Sequence, residues 1–257
     1  MKKIFILLAI TILVSCSKVP VTGRRQLSIL PESSMMSMAL TNYKDFLSKN
    51  PPVQTSTADA QLVKKVGLNI SQAVEKYMKS KGLSSRIKGY KWEFNLVNDK
   101  TVNAWCMPGG KVVVYSGLLA VTQNETGLAV VMGHEIAHAI ARHGNERMSQ
   151  QMIVQLGGLG LSVALAQKPK ETQNIFLQSY GTGSTLGILK YSRTHESEAD
   201  KLGLIFMKKA GYEPREAIAF WERMAKQGSS NTPQLLSTHP SDEKRIADIK
   251  AFLPSIK

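Results

Sequence analysis

The sequence predicts an α+β fold, predominantly helical, with a small β-sheet beside one buried helix. Three observations predict it. Residues 128–140 are rich in Ala, Val, Met and Ile and lack proline, which reads as a buried helix. Residues 58–80 place Leu62, Val66, Ile70, Ala73 and Tyr77 on one stripe of a long amphipathic helix. Between these two segments, apolar and β-branched residues fall into short runs divided by turn signals.

In chain order, "MKKIFILLAITILVSC" puts two lysines before an apolar run, 4–14, too short to span a bilayer but suited to a signal sequence. "LVSC" fits a lipobox. Residues 1–15 are therefore expected to be a lipoprotein signal peptide, Cys16 the lipidated residue, 16–30 an extended lipidated tether and 31–257 a single domain. This reading places the protein in the cell envelope, held to a membrane by its lipid. Ser17 in place of an aspartate favours, under enterobacterial sorting, the outer membrane facing the periplasm, with the inner membrane as the alternative. A helix is expected from about 32 to 48 and the amphipathic helix from 58 to a stop near Gly82.

"YKWEFNLV", 90–97, alternates like a half-buried strand. "DKTVNAWCMPGGKVVVY" reads as a second strand, a Pro-Gly-Gly turn and a third strand before a short helix from Ser116. Asn124 is the N-cap of the buried helix and Glu125 its first-turn anion. "VQLGGLGLSVALA" is apolar but too short to cross a membrane, and 167–187 reads as a mobile segment near the cleft. "THESEADKLGLIFMKKAG" forms a helix ending at Gly211, and a last helix starts at Ser241.

The formal charge of +14 falls by two if Lys2 and Lys3 are removed with the signal peptide. A basic protein tethered to a membrane can rest on anionic headgroups. No nucleic-acid-binding motif accompanies the charge, so nucleic acid is not an expected partner. With Cys16 lipidated, Cys106 has no partner for an internal disulfide.

Three of the five histidines lie within ten residues, in "HEIAHAIARH". Successive helical residues turn by about 100°, so His134 and His138 share a face and can hold one ion, with Glu135 beside them to reach a water. This is the HExxH arrangement of zinc hydrolases. On a continuing helix His143 turns to the opposite face, which makes it a residue behind the ligands or on the surface near the helix end, with Gly144 a candidate for C′. The third ligand must then come from elsewhere. Glu196 and Asp200 share one face of the later helix with Gly203, and Ala199 lies alongside, small enough for close helix approach. Glu198 faces away. Glu196 is the better third ligand, and Asp200 is placed to accept the N–H of a metal-bound imidazole.

"HEIAH", "YSRTHESEAD" and "STHPSDEKR" together resemble the gluzincin metallopeptidases of the HtpX and CAAX-prenyl-protease superfamily, above all its BepA- and LoiP-like bacterial lipoproteins. "VPVTGRRQL" and "NAWCMPGGKVVVYSGLL" share the likeness, which runs from about residue 16 to the C-terminus. The resemblance implies a zincin-like metallopeptidase domain over 31–257 with one Zn²⁺ per chain, ligated by His134, His138 and Glu196, and Glu135 as general base. It further implies that Asn103, Ala104 and Trp105 contact substrate backbone along a strand edge, by β-augmentation. His239, on a loop before Pro240, becomes a candidate zinc cap, and Arg245 a cleft-facing catalytic arginine able to steady an oxyanion. The expected task is hydrolysis of peptide bonds in misfolded or misassembled envelope proteins.

Two rival readings are a chaperone-like binding lipoprotein with a structural or capped zinc site, and a scaffold without metal. Glu135 argues against the first, because a structural site has no use for that carboxylate. Nothing in the sequence sets an oligomeric state.

Overall fold

The first two helices begin differently, one behind a proline and one behind a capping threonine. In the computed structural model, which describes residues 16–156, 161–180, 192–227, 233–239 and 243–256, α1 (Glu32–Lys49) follows Pro31. Helix α2 (Ala58–Ser80) follows Thr57, whose side chain accepts from the Ala60 N–H. The stripe read from the sequence faces inward: Val66, Ile70, Ala73 and Tyr77 are buried, with Leu62 at its half-buried margin.

Three strands follow: β3 (Glu93–Val97), β4 (Ala104–Met107) and β5 (Lys111–Tyr115). The N-terminal pair β1 (Cys16–Lys18) and β2 (Arg25–Leu27) forms a separate antiparallel hairpin. In the main sheet the order is β3-β5-β4, with β5 parallel to β3 and antiparallel to β4. The Pro-Gly-Gly turn holds because Gly109 and Gly110 both take positive φ, 86° and 80°, and a Cβ on Gly110 would lie 2.6 Å from the Trp92 ring. Strands β4 and β5 are buried on both faces. Ala104, Cys106, Val112 and Val114 pack into the core under α2, while Trp105, Met107, Val113 and Tyr115 pack into a second cluster with Met35, Ala39 and Tyr43 of α1.

Helix α3 (Ser116–Thr122) leads into α4 (Glu125–Ala141), where the Asn124 side chain accepts from the Gly127 N–H as expected of an N-cap. Then come α5 (His143–Leu156), α6 (Leu161–Gln167), α7 (Pro169–Ser179), α8 (Arg193–Lys209), α9 (Glu216–Gln227), α10 (Gln234–Thr238) and α11 (Glu243–Phe252). The result is the mostly helical α+β architecture the sequence predicts. Among the described residues no helix is long and apolar enough to cross a membrane.

Several local expectations change. The segment expected to be mobile contains α7, with Pro169 in its first turn and Thr172, Ile175 and Phe176 buried; its part from 181 on lies outside the described residues, as do 1–15 and Ser241. Gly144 is not at C′. Arg142 takes the left-handed position, φ 62°, and Gly144 begins α5 against Tyr180. The presumed tether is docked on the domain: Val19 and Leu30 are buried in the two apolar clusters.

Candidate metal centre

Helices α4 and α8 cross at two glycines, which removes the side chains that would hold them apart. A Cβ on Gly203 would sit 3.0 Å from the His134 backbone nitrogen. This approach brings Glu196 of α8 over the face of α4 that carries His134 and His138. His239, at the C-terminal end of α10, joins them, so that ligand atoms of His134, His138, Glu196 and His239 all lie within 4.8 Å of one another.

The separations are those of a metal-binding set. His138 Nε2 is 3.0 Å from His134 Nε2 and 3.4 Å from Glu196 Oε1. His239 Nδ1 is 3.2 Å from His134 Nε2 and 3.0 Å from Glu196 Oε1. A tetrahedron of N and O donors at about 2.0–2.1 Å from a first-row ion has edges of roughly 3.3–3.4 Å, so the residues present fit such an ion. All four side chains are buried, and a metal compensates the cost of holding three imidazoles and a carboxylate out of water.

Glu135 lies beside this cluster. Its Oε1 is buried, has no hydrogen-bond partner among the described residues and is 3.5 Å from His239 Nε2. Burial pushes its carboxyl above the ordinary value, against the pull of His239 and His134. Glu196 shows the opposite balance. Burial would raise it, but the charges of His239, Arg245 and His134 hold it well below the usual carboxylate range.

Supports stand behind His134, Glu196 and His138. His134 Nδ1 is 2.9 Å from Asp200 Oδ1, the contact expected to fix the ring's tautomer. Arg245 is directed onto carboxylates: its Nε and Nη2 donate to Asp200 at 2.8 and 2.7 Å, and Nη1 lies 2.9 Å from Glu196 Oε2. Trp221 covers the guanidinium, which lies 3.4 Å above its ring. His143 is fully buried, with its Nδ1 3.0 Å from His138 Nδ1 and its Nε2 3.0 Å from Glu198 Oε2. Sequence reasoning gave no role to Trp221, nor to Arg24, which reaches Glu198 from the N-terminal hairpin.

Asn103, Ala104 and Trp105 border a small cavity with Cys106, Glu135, Tyr180, Thr238 and His239. Within its sheet β4 pairs only with β5, so it is one of the two edge strands. Helix α10 runs beside it, and the Leu235 N–H donates to Val102 O just before the strand begins. The residue that enters the cluster and the segment that flanks the edge are thus one unit.

Residues 65–253 match peptidase family M48. Over 179 residues the chain is 37% identical to mitochondrial metalloendopeptidase OMA1 of Saccharomyces cerevisiae, covering 66% of this chain and 50% of that protein. It is 32% identical over 249 residues to the OMA1 protein of Schizosaccharomyces pombe, covering 92% and 66%. The beta-barrel assembly-enhancing protease of Escherichia coli is 33% identical over 165 residues, covering 62% of this chain and 34% of that one. The chain thus spans from about a third to two thirds of these relatives' lengths. Because the match takes in α4, α8 and both elements that carry His239 and Arg245, the chain belongs to peptidase family M48.

Proposed function

We propose that the protein is a zinc-dependent endopeptidase, tethered in the cell envelope through a lipid on Cys16, that hydrolyses misfolded or misassembled envelope proteins. One observation carries the catalytic reading: His134, His138, Glu196 and His239 form a compact buried donor set with the free carboxyl oxygen of Glu135 beside it. The names of its relatives, metalloendopeptidase and protease, support peptide bonds as the target. The lipobox supports the anchor, and the likeness to a beta-barrel assembly-enhancing protease of Escherichia coli supports the substrate class, whereas the OMA1 relatives are mitochondrial proteins.

In this reading His134, His138 and Glu196 would hold Zn²⁺, which would supply Lewis-acid polarisation and lower the pKa of a water. Glu135, with one carboxyl oxygen that no hydrogen bond holds, takes the proton of the attacking water and returns it to the leaving amine. Asp200 holds the His134 ring, and Arg245 holds Asp200 and Glu196 in place. The edge of β4 at Asn103, Ala104 and Trp105 receives the substrate backbone once α10 withdraws. His239 would be a fourth donor while α10 stays in place and would leave with it.

The test is Glu135→Gln. The variant keeps about one zinc per chain and loses casein hydrolysis by roughly two to four orders of magnitude, the usual worth of a general base. Equal turnover by variant and wild type would sink the mechanism. The burial of His239 within the cluster favours a second reading, a binding protein whose zinc is permanently capped; wild-type protein that binds unfolded chains yet never cleaves them would support it.

A further inference from the structure

The N-terminal hairpin lies before residue 65, where the family match begins, yet it reaches the back of the metal centre. Its turn is tightly specified. Gly23 and the β-branched Val21 both take positive φ, 68° and 70°, and a β-branched residue keeps that conformation only where its surroundings over-determine it. What holds the turn is the grip of Thr22 and Arg24 on two buried carboxylates. Thr22 Oγ1 donates to Glu198 Oε1 at 2.7 Å, and Arg24 Nε and Nη2 donate to the two Glu198 oxygens at 3.0 Å each. The same guanidinium forks onto Glu146 at 2.8 and 2.7 Å, and Glu146 Oε2 is 2.9 Å from His195 Nε2. His195 in turn stacks on His143, with ring centres 4.5 Å apart.

Hydrogen placement follows from what each group can do. A carboxylate gripped by a guanidinium only accepts, so the 3.0 Å contact puts the proton of His143 on Nε2. The Nδ1 of that ring is then bare and accepts from His138 Nδ1–H, 3.0 Å away. His138 is left with a bare Nε2, the atom that faces His134 and Glu196. His134 has the same arrangement in shorter form, with Asp200 directly on its Nδ1.

We propose that Arg24 is a positioning residue for the metal centre, acting through Glu198 and His143 to fix the ring and tautomer of His138. The metal-binding unit thus begins in the segment just after Cys16, well before the family match. This inference rests on the metal reading above.

Zinc affinity of the full chain, measured by competition with a chromophoric chelator, tests it without relying on activity. Arg24→Gln and Glu198→Gln each weaken zinc binding by roughly 10–100-fold, the usual effect of losing a group behind a ligand. The double variant is no weaker than Glu198→Gln alone, because both act along one chain of contacts. Glu146→Gln, which cuts an equally short Arg24 contact and meets His143 only through the stacked ring of His195, with no hydrogen bond to it, changes affinity by less than about threefold. Unchanged affinity in folded Arg24→Gln would overturn the proposal, as would an equal loss in Glu146→Gln, which would mark simple support of the hairpin. Long-range ¹H–¹⁵N spectra of zinc-loaded wild type give an independent reading: His143 protonated at Nε2 and His138 at Nδ1 support the proposal, and His143 protonated at Nδ1 overturns it even if no variant folds. A wild type that binds no zinc would overturn the metal reading itself; zinc-bound wild type with indifferent variants would overturn only the role of Arg24.

Discussion

Gly133 and Gly203 put the backbones of α4 and α8 in contact: a Cβ on Gly203 would lie 3.0 Å from His134 N and 3.1 Å from Gly133 C. These neighbours are main-chain atoms, which cannot turn aside. Gly203→Ala therefore forces the helices apart and is expected to destabilise the protein by about 1–3 kcal/mol. The same displacement moves Glu196 off His134 and His138, so zinc affinity falls together with the urea midpoint. Loss of stability with unchanged zinc affinity would show that the crossing does not set the site.

Glu196 and Glu198 are two residues apart on α8 and face different partners. Glu196 meets His138 and His239, whereas Glu198 meets His143, Thr22 and Arg24. Glu196→Ala is expected to remove nearly all bound zinc at micromolar concentrations. Glu198→Ala should still load when zinc is in excess, with affinity weakened by roughly 10–100-fold. Metal analysis after gel filtration, with and without added zinc, separates the two, and a reversed order would contradict the site.

That contrast marks where the sequence is legible. Helical spacing brings His134, His138, Glu196 and Asp200 together because both helices stay regular across those positions, and the small residues of α8 are visible in the letters. His143 does stand behind a ligand, one of the two places the sequence allows it, but the facing assigned to it fails for a physical reason. The angular argument holds only on a continuing helix, but Arg142 turns left-handed, and the chain re-enters a new helix that returns His143 to His138. Arg24 is hidden differently: its partner Glu198 lies 174 positions away, and no local periodicity encodes that pairing. Helix α7 is missed because its composition is polar, and only packing shows that Ile175 and Phe176 face inward.

Acid should weaken this protein partly through Glu146. Burial alone would raise its carboxyl, but Arg24 and His195 bring it down to about 2. An unfolded glutamate titrates near about 4.3, so the folded value is depressed. The stability it contributes is complete above the unfolded value and disappears as pH falls from about 5 towards 2. Urea unfolding in the presence of chelator, which removes metal release from the measurement, should show Glu146→Gln less stable than wild type at pH 7. The two midpoints should converge as pH approaches 2. A gap that stays constant across this range would exclude the ionised carboxylate as its source.

His239 decides whether the closed arrangement is a resting state. Its Nδ1 stands 3.0 Å from Glu196 Oε1, and its Nε2 stands 3.5 Å from Glu135 Oε1, so it occupies both a donor position and the approach to the general base. Three other donors remain without it, and removal of the imidazole should lower zinc affinity far less than removal of His138. The freed position lies where a water must enter, beside the unpartnered oxygen of Glu135. His239→Ala is therefore expected to raise basal turnover of a short peptide several-fold at matched zinc occupancy. The effect should be larger on peptides than on folded proteins, because α10 still flanks β4 and still hinders a long chain. Lower turnover in the variant would instead assign His239 to steadying charge during the reaction. Unchanged turnover would show that α10 already leaves the site faster than the chemistry proceeds.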